Sequence, residues 1–453
     1  MQPNVPELFL DDELVEKSYR LGRTIHPVQK YGGGPLIRPD KAWEGHLLAA
    51  YGTVMEDPRS GLLRLWYNSF DRRPDRRRNL VCYAESADGL IWEKPELGLI
   101  EVDGSTRNNV VLRPTQSLID CLNVICDASE RSESRRYKMF FFQGGAKSGY
   151  YVAYSEDGLR WTVKEEPVMT EVGDRHNFMY NDAYPPYRIL CREGRMMTDY
   201  RGRAVSLAQS EDFEHWSRPK LALAPDLTDG PDVQFYSCVP SRYAGVYVGF
   251  LEVLHSERDI MTTRLVTSRD GATWRHVGNR AEFLEPGPPG HWDCVWTSVV
   301  GGSPITREEH LLIYYSGRTE AHGRRWPQPW GALSLGVVRR DGFCSIDAGP
   351  VEGELVTTPI LWPGGSLWVN AHMSVRPHVD RGELRIEVLD EQGNVVPGYG
   401  RQDATPLTGN CNYGQCAWGE RRDLSHLEGR KMRLRFLLRQ GELYSFKAAV
   451  PAQ

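Results

Sequence analysis

Ser155-Glu156-Asp157-Gly158-Leu159-Arg160-Trp161 is a stretch that the chain repeats with small changes. It recurs as Ser86-Ala87-Asp88-Gly89-Leu90-Ile91-Trp92, as Ser210-Glu211-Asp212-Phe213-Glu214-His215-Trp216 and as Ser268-Arg269-Asp270-Gly271-Ala272-Thr273-Trp274. A weaker fifth copy, Arg339-Arg340-Asp341-Gly342-Phe343, lacks the Trp. Each full copy follows an alternating apolar run such as Tyr150-Tyr151-Val152-Ala153-Tyr154 or Leu80-Val81-Cys82-Tyr83-Ala84. That order predicts a strand entering a tight Asp-Gly turn, with the Trp opening the returning strand.

From Asp to Asp the copies step by 69, 55, 58 and 71 residues, too long for one hairpin and right for one four-stranded sheet. Recurrence of a strand-turn-strand unit at such a period predicts a β-propeller, and the copies predict five blades. The inner strands expected are Leu48–Val54, Ile119–Ile125, His176–Tyr180, Val233–Val239 and Cys294–Val300. After Asp347-Ala348-Gly349 the repeat stops, while Leu384–Leu389 and Lys431–Leu437 still alternate with period two. The expected organisation is therefore all-β: a five-bladed propeller catalytic domain over residues 1–348 and a C-terminal β-sandwich domain over 349–453. The best helix candidate, Asp11–Tyr19, is a turn or two in a lead-in segment.

Composition fits this outline. Hydrophobic residues make up 40% and charged ones 25%, with Gly 44 and Pro 29, as in a turn-rich globular protein. A net charge of −5 gives no basic footprint for nucleic acid. The arginine-rich run Asp71–Arg78 is broken by two aspartates and reads as a solvated hairpin loop. No apolar run is long enough for a membrane span and the start lacks a signal-peptide pattern, so a cytoplasmic protein is expected. Nine scattered cysteines fit reduced, buried thiols. Cys411 and Cys416 have no matching second pair, so no metal is expected there, and no cofactor motif is present.

In a propeller the first strand of each blade lines the axis, so polar residues at the start of those strands converge at one end. The acids so placed are Glu44, Asp120, Asp174, Asp232 and Asp293. Taken singly, each reads as a capped turn or a solvated loop acid. In register across a repeat, they predict a shared pocket. Close by stand Arg175, His176 and Asn177, then Tyr236, then Trp292, then Arg318, Glu320 and His322. Aromatic platforms mixed with acids, amides and arginines suit a sugar, which presents apolar ring faces and a fringe of hydroxyls. Two carboxylates flanking a glycosidic bond supply the acid and the base or nucleophile of hydrolysis.

Taken together, the blade count, the acids at the inner strands, the Ser-x-Asp-Gly-x-x-Trp turns and the appended sandwich resemble the glycoside hydrolase clan of invertases, levanases, arabinanases and β-xylosidases. In that clan, acids from the first three blades act as nucleophile or base, transition-state stabiliser and general acid. The resemblance implies Glu44 (or Asp57), Asp120 and Asp174 in those places, with Asp174 favoured as the acid. The clan's Asn-Asp-Pro-Asn-Gly, Arg-Asp-Pro and Glu-Cys motifs are not present. Expected, then, is a hydrolase of a furanoside or small oligosaccharide. Asp120, Asp174, Glu44 and Asp293 would be catalytic, and Asp232, His176, Asn177, Arg175, Tyr236, Trp292, Arg318 and His322 substrate-binding. A non-catalytic carbohydrate-binding propeller and a metal-holding propeller enzyme stay open as alternatives, as does a homo-oligomer.

Overall fold

The repeated turns close antiparallel meanders. A computed structural model describes residues 1–71, 78–180, 184–193, 202–321, 330–374 and 381–451. Among them the protein is all β, with two short 3-10 turns, Glu133–Arg135 and Ser425–Leu427, and no α-helix. The segment expected as a helix holds the strand Val15–Tyr19 instead, because its pairing with Gly353–Thr357 overrides its weak helical pattern. Among the described residues no helix is long and apolar enough to cross a membrane. Residues 72–77 of the arginine-rich run lie outside the described residues.

Sheet I comprises Leu47–Glu56, Leu63–Asp71, Arg78–Ser86 and Val110–Leu112. Sheet II comprises Leu118–Cys126, Tyr137–Gly144, Gly149–Ser155 and Thr162–Val163, and sheet III His176–Tyr180, Tyr187–Glu193, Ala204–Ser210 and Lys220–Leu223. Sheet IV runs Val233–Tyr243, Val246–His255 and Ile260–Ser268, with Arg275–His276 and Glu282–Leu284 both on its third strand. Sheet V runs Trp296–Val299, His310–Arg318 and Gly331–Arg339, and its outer partner is Gln29–Lys30 from the start of the chain. Single parallel bridges, Met261 to Trp296 and Gly331 to Leu47, join IV to V and V to I.

Within each full repeat the Asp caps its own turn. Asp157 Oδ1 accepts from the Leu159 and Arg160 amides at 2.8 and 2.9 Å, while the Gly158 amide donates to Ser155 Oγ at 2.8 Å. Asp88 and Asp270 make the same set. Gly158 takes φ +75°, which only glycine adopts freely; Phe213 holds φ +71° at the same place in sheet III.

Each turn is then gripped by the sheet before it. Trp66 Nε1 and an Arg64 guanidinium nitrogen, both of sheet I, donate to the carbonyls of Gly158 and Asp157. Phe140 of sheet II packs on Phe213 and Trp216, and Arg188 of sheet III donates to the Asp270 carbonyl. Tyr243 of sheet IV donates to Asp341, and Tyr314 of sheet V to the Gly89 carbonyl of sheet I.

Two further sheets share one core built from Phe9, Trp362, Val369, Ile386, Trp418, Phe436 and Phe446. One joins Leu21–Ile25, Cys344–Ala348, Gly441–Ala449, Ser366–Met373 and Asn410–Gln415, with Glu7–Leu8 on its third strand. The other joins Val15–Tyr19, Gly353–Thr357, Lys431–Arg439 and Ile360–Leu361, with Glu383–Asp390. Residues 7–25 and 344–348, expected with the repeats, thus pair with the C-terminal strands. The Asp-turn pattern carries no information about where those flanking strands pair.

Candidate active site

One cavity of about 190 Å³ receives side chains from all five repeat sheets. Tyr51 and Phe70 come from sheet I, Asp120 from II, Asp174 from the start of III, Tyr236 from IV, and Arg318 with Glu320 from the end of V. A larger groove of about 780 Å³ lies on the flank beside Asp57, Arg64, Tyr137 and Asp157. Its charges are committed to one another, since Arg64 bonds Asp57 at 3.2 Å, Tyr83 at 2.9 Å and Tyr137 at 3.0 Å. That groove therefore belongs to the turn-gripping contacts.

The cavity's side chains are aimed by β-bulges. Phe141 pairs with Leu122 and Phe142 with Asp120, so Cys121 is the extra residue, at φ +46°. Its amide folds back onto Asp120 Oδ1 at 2.8 Å and fixes that carboxylate. In sheet IV, Phe235 pairs with Val253 and Ser237 with Glu252, leaving Tyr236 as the bulge. In sheet I the register slips between Ala49 and Thr53, around Tyr51. A Cβ on the adjacent Gly52 would lie 1.9 Å from the Trp66 carbonyl oxygen, so that bulge requires glycine. A bulge turns a side chain out of the strict in-out alternation, here toward the cavity.

The two aspartates are in different electrostatic states. Burial first, and the charge of Asp174 second, push the Asp120 carboxyl up to about 6. Asp174 is ion-paired with Arg192. Behind them Arg175 and Glu252 form a fully buried pair, with guanidinium bonds of 2.6 and 3.2 Å and a further bond from Ser298 Oγ to Glu252. Arg175 also lies 4.3 Å from the centre of the Tyr51 ring. Burial alone would lower the Arg175 pKa, but the Glu252 charge outweighs it and holds it high. This arrangement can present a carboxyl that holds its proton and an ion-paired carboxylate to the same bound group.

Of the described residues expected in the site, Asp120, Asp174, Tyr236 and Arg318 share the cavity, and the others stand elsewhere. Glu44 is fully buried, bonded to Lys94 Nζ at 2.8 Å, Tyr67 OH at 2.5 Å and the Asp40 and Lys41 amides. Asp293 is buried against Lys30 Nζ at 2.6 Å and Tyr315 OH at 3.2 Å, where it ties the incoming Gln29–Lys30 strand to sheet V. Both acids read as axis ligands in the sequence because a start-of-strand position cannot show that a lysine far along the chain neutralises it. Asp232 is half-buried just before Val233–Tyr243, outside the cavity lining.

Arg175 faces Glu252 and not the cavity. His176 is buried edge-on to Phe140 and Tyr150, and burial pushes its pKa down to about 3. Asn177 donates to Ser237 Oγ at 2.7 Å, stitching sheet III to IV. The alternation of the strand decides these placements, since Asp174 is at the mouth and the next three residues enter the packed interior. Trp292 stacks on Tyr315 at 5.6 Å, outside the cavity lining. His322 lies outside the described residues.

Tyr51, Phe70, Arg192, Arg203 and Glu252 were not singled out from the sequence as site residues. Tyr51-Gly52 carried a usable signal, because a glycine inside an apolar strand run marks a bulge or a close backbone approach. No local pattern marks the others.

No family model matches the chain. Two Mycobacterium tuberculosis proteins, Uncharacterized protein MT1551 and Uncharacterized protein Rv1502, are each 32% identical to it over 138 residues, 30% of this chain. The chain spans 40% of the length of those relatives. Among solved structures it resembles a BT0996 RGII complex, with TM-score 0.52 and 14% identity over 70% of this chain and 93% of that one. It also resembles a structure named Glycoside hydrolase, with TM-score 0.52 and 15% identity over 69% and 92%. A third likeness is to an N-acetylgalactosamine deacetylase from F. plautii in complex with blood group B trisaccharide, with TM-score 0.50 and 16% identity over 72% and 97%. These neighbours have a propeller-type fold, and at such identities the likeness concerns the fold alone.

Proposed function

We propose that the protein is a carbohydrate-active enzyme, a glycoside hydrolase in which Asp120 donates the proton to the leaving oxygen and Asp174 acts as the ionised partner. The observation that carries this reading is the pairing of a carboxyl raised to about 6 with an ion-paired carboxylate in one cavity fed by every repeat sheet. Such a split between two carboxyls is what acid-assisted glycoside cleavage requires. The roles differ from those implied by the clan resemblance. Asp174 is ion-paired with Arg192, so it suits the nucleophile or base, and Asp120 suits the acid. Glu44 is too deeply committed to Lys94 to take the first-blade place, and Glu320 from sheet V is the third acid at the cavity.

The architecture belongs to the same proposal: sheets I to V as the five blades of a propeller and the two flanking sheets as a β-sandwich. Supporting it is the cycle of grips in which each repeat sheet holds the next turn and Tyr314 returns to Gly89. Kinship with the invertase and arabinanase clan remains part of this reading too.

The test is a panel of nitrophenyl glycosides and plant or bacterial oligosaccharides, assayed with the native chain and with Asp120→Asn and Asp174→Asn. Turnover of one class by the native chain, lost in both variants, is the expected result. Sugar binding with no turnover by any of the three would establish the binding-propeller reading instead.

A further inference from the structure

Three arginines stand around Tyr236 of the cavity wall, and among the described residues only Arg192 is ion-paired with a carboxylate. Arg192 and Arg203, from sheet III and the segment leading into its third strand, place their guanidinium carbons 5.2 and 5.5 Å from the centre of the Tyr236 ring. Arg192 is paired with Asp174. Arg203 donates to the neutral Gln234 Oε1 at 2.5 Å, and among the described residues no carboxylate pairs with it. Arg318 lies 3.6 Å from the centre of the Trp296 ring, which meets Tyr236 edge-on at 5.1 Å. Its Nε is buried without a hydrogen-bond partner among the described residues.

Guanidinium groups held together over aromatic rings repel one another unless an anion neutralises them. Burial, then the Arg192 charge, already depress the Arg203 pKa. A planar carboxylate matches the guanidinium fork with two parallel hydrogen bonds. The cavity volume of about 190 Å³ and its polar floor of Asp120, Asp174 and Glu320 leave room beside that fork for hydroxyls.

We propose that the cavity takes an anionic sugar, a uronic-acid unit whose carboxylate is held against Tyr236 by Arg203 and Arg318. The proposal rests on the carbohydrate reading above and narrows it. Neutral furanosides would leave both guanidinium groups without a carboxylate partner in the bound state, whereas a uronate supplies one. Because the pairing is electrostatic and partly exposed, uronate binding weakens as salt is raised.

The test is calorimetric titration and thermal unfolding of the full chain with D-glucuronate and D-galacturonate, against glucose, galactose and inorganic phosphate at equal concentration. The expected result is uronate binding about tenfold tighter than that of the matching neutral sugar, with a rise in melting temperature of about 2 °C. Arg203→Gln and Arg318→Gln should each bring uronate binding down to the neutral-sugar level, and Arg203→Lys should keep part of the preference. Two independent arginine variants keep the test decisive if one of them folds poorly. Neutral sugars binding as tightly as uronates would overturn the inference while leaving the carbohydrate reading standing. Inorganic phosphate stabilising the chain as strongly as the uronates would overturn it in favour of a free anion. Failure of every sugar to bind would also overturn it, and the glycoside panel then decides the broader reading separately.

Discussion

Asp270 and Asp120 are the same side chain in two regions, and their surroundings drive them in opposite directions. Asp270 caps an outer turn; burial would raise its pKa, but bonds from the Thr273 and Ala272 amides outweigh that and hold it near 2. Asp120 receives one amide, from Cys121, and faces the charge of Asp174 in a buried recess, so it rises to about 6. The outer acids are ionised braces, while the inner one holds its proton within reach of neutral pH. The difference lies first in burial, then in the neighbouring charge and the number of backbone donors each carboxylate collects. The repeat fixes two amide donors at each turn, and the bulge at Cys121 supplies one in the cavity.

The largest effect that can break this comparison is on turnover. Asp120→Asn and Asp174→Asn should each lower kcat on a confirmed glycoside by about 10²- to 10⁴-fold, with melting temperatures close to native. Steady-state kinetics and circular-dichroism melts check both halves. Loss of stability in Asp120→Asn would make the inner acid a brace like the outer ones.

Next is the buried Arg175–Glu252 pair, which should behave as structure. Glu252→Gln strands a guanidinium in the interior and should cost about 3–5 kcal/mol in urea unfolding. Trp66→Ala, which opens a void under the Gly158 turn and loses its indole bond, should cost about 3–5 kcal/mol while sparing kcat. Trp161 is only partly buried, so its replacement by Ala should be milder.

The smallest effects are in pH. Turn carboxylates such as Asp270 are depressed in the folded state, so the stability they add is present above about pH 4 and lost as pH falls toward about 2. Melts between those values should show the decline, and Asp270→Asn should flatten it. Turnover has the opposite sign, because a proton donor raised to about 6 makes the rate fall as pH climbs past 6. A kcat/KM profile flat to pH 8 would remove Asp120 from that role.

The repeat was readable because its chemistry is local: serine, aspartate and glycine satisfy one another within four residues. Asp120, Asp174, Tyr236 and Arg318 were readable as a group because a repeating fold converts position in the repeat into position in space. Glu44 and Asp293 obeyed the same rule and still left the site. Their partners, Lys94 and Lys30, come from outside the motif, and Lys30 precedes Asp293 by hundreds of residues. Arg192 and Glu252 sit in ordinary strand positions and gain meaning only from Asp174 and Arg175, the charges they pair with. The pairing of Glu7–Leu8, Val15–Tyr19 and Leu21–Ile25 with the end of the chain was likewise invisible to short-range pattern.

That pairing sets a timetable for biosynthesis. Glu7 pairs with Phe446 and Gln29 with Val337, so the first strands leave the ribosome long before their partners exist. At about 5–20 residues per second, Glu7 waits on the order of 20 to 90 s for its neighbour. During that interval sheets I to IV can assemble from contiguous chain, while sheet V lacks its Gln29–Lys30 edge until Gly331–Arg339 arrives to receive it. The strands of residues 7–30 therefore wait without their partners while the repeats between are made, and the later arrival of Gly331–Arg339 and Gly441–Ala449 converts them from a loose end into a seam.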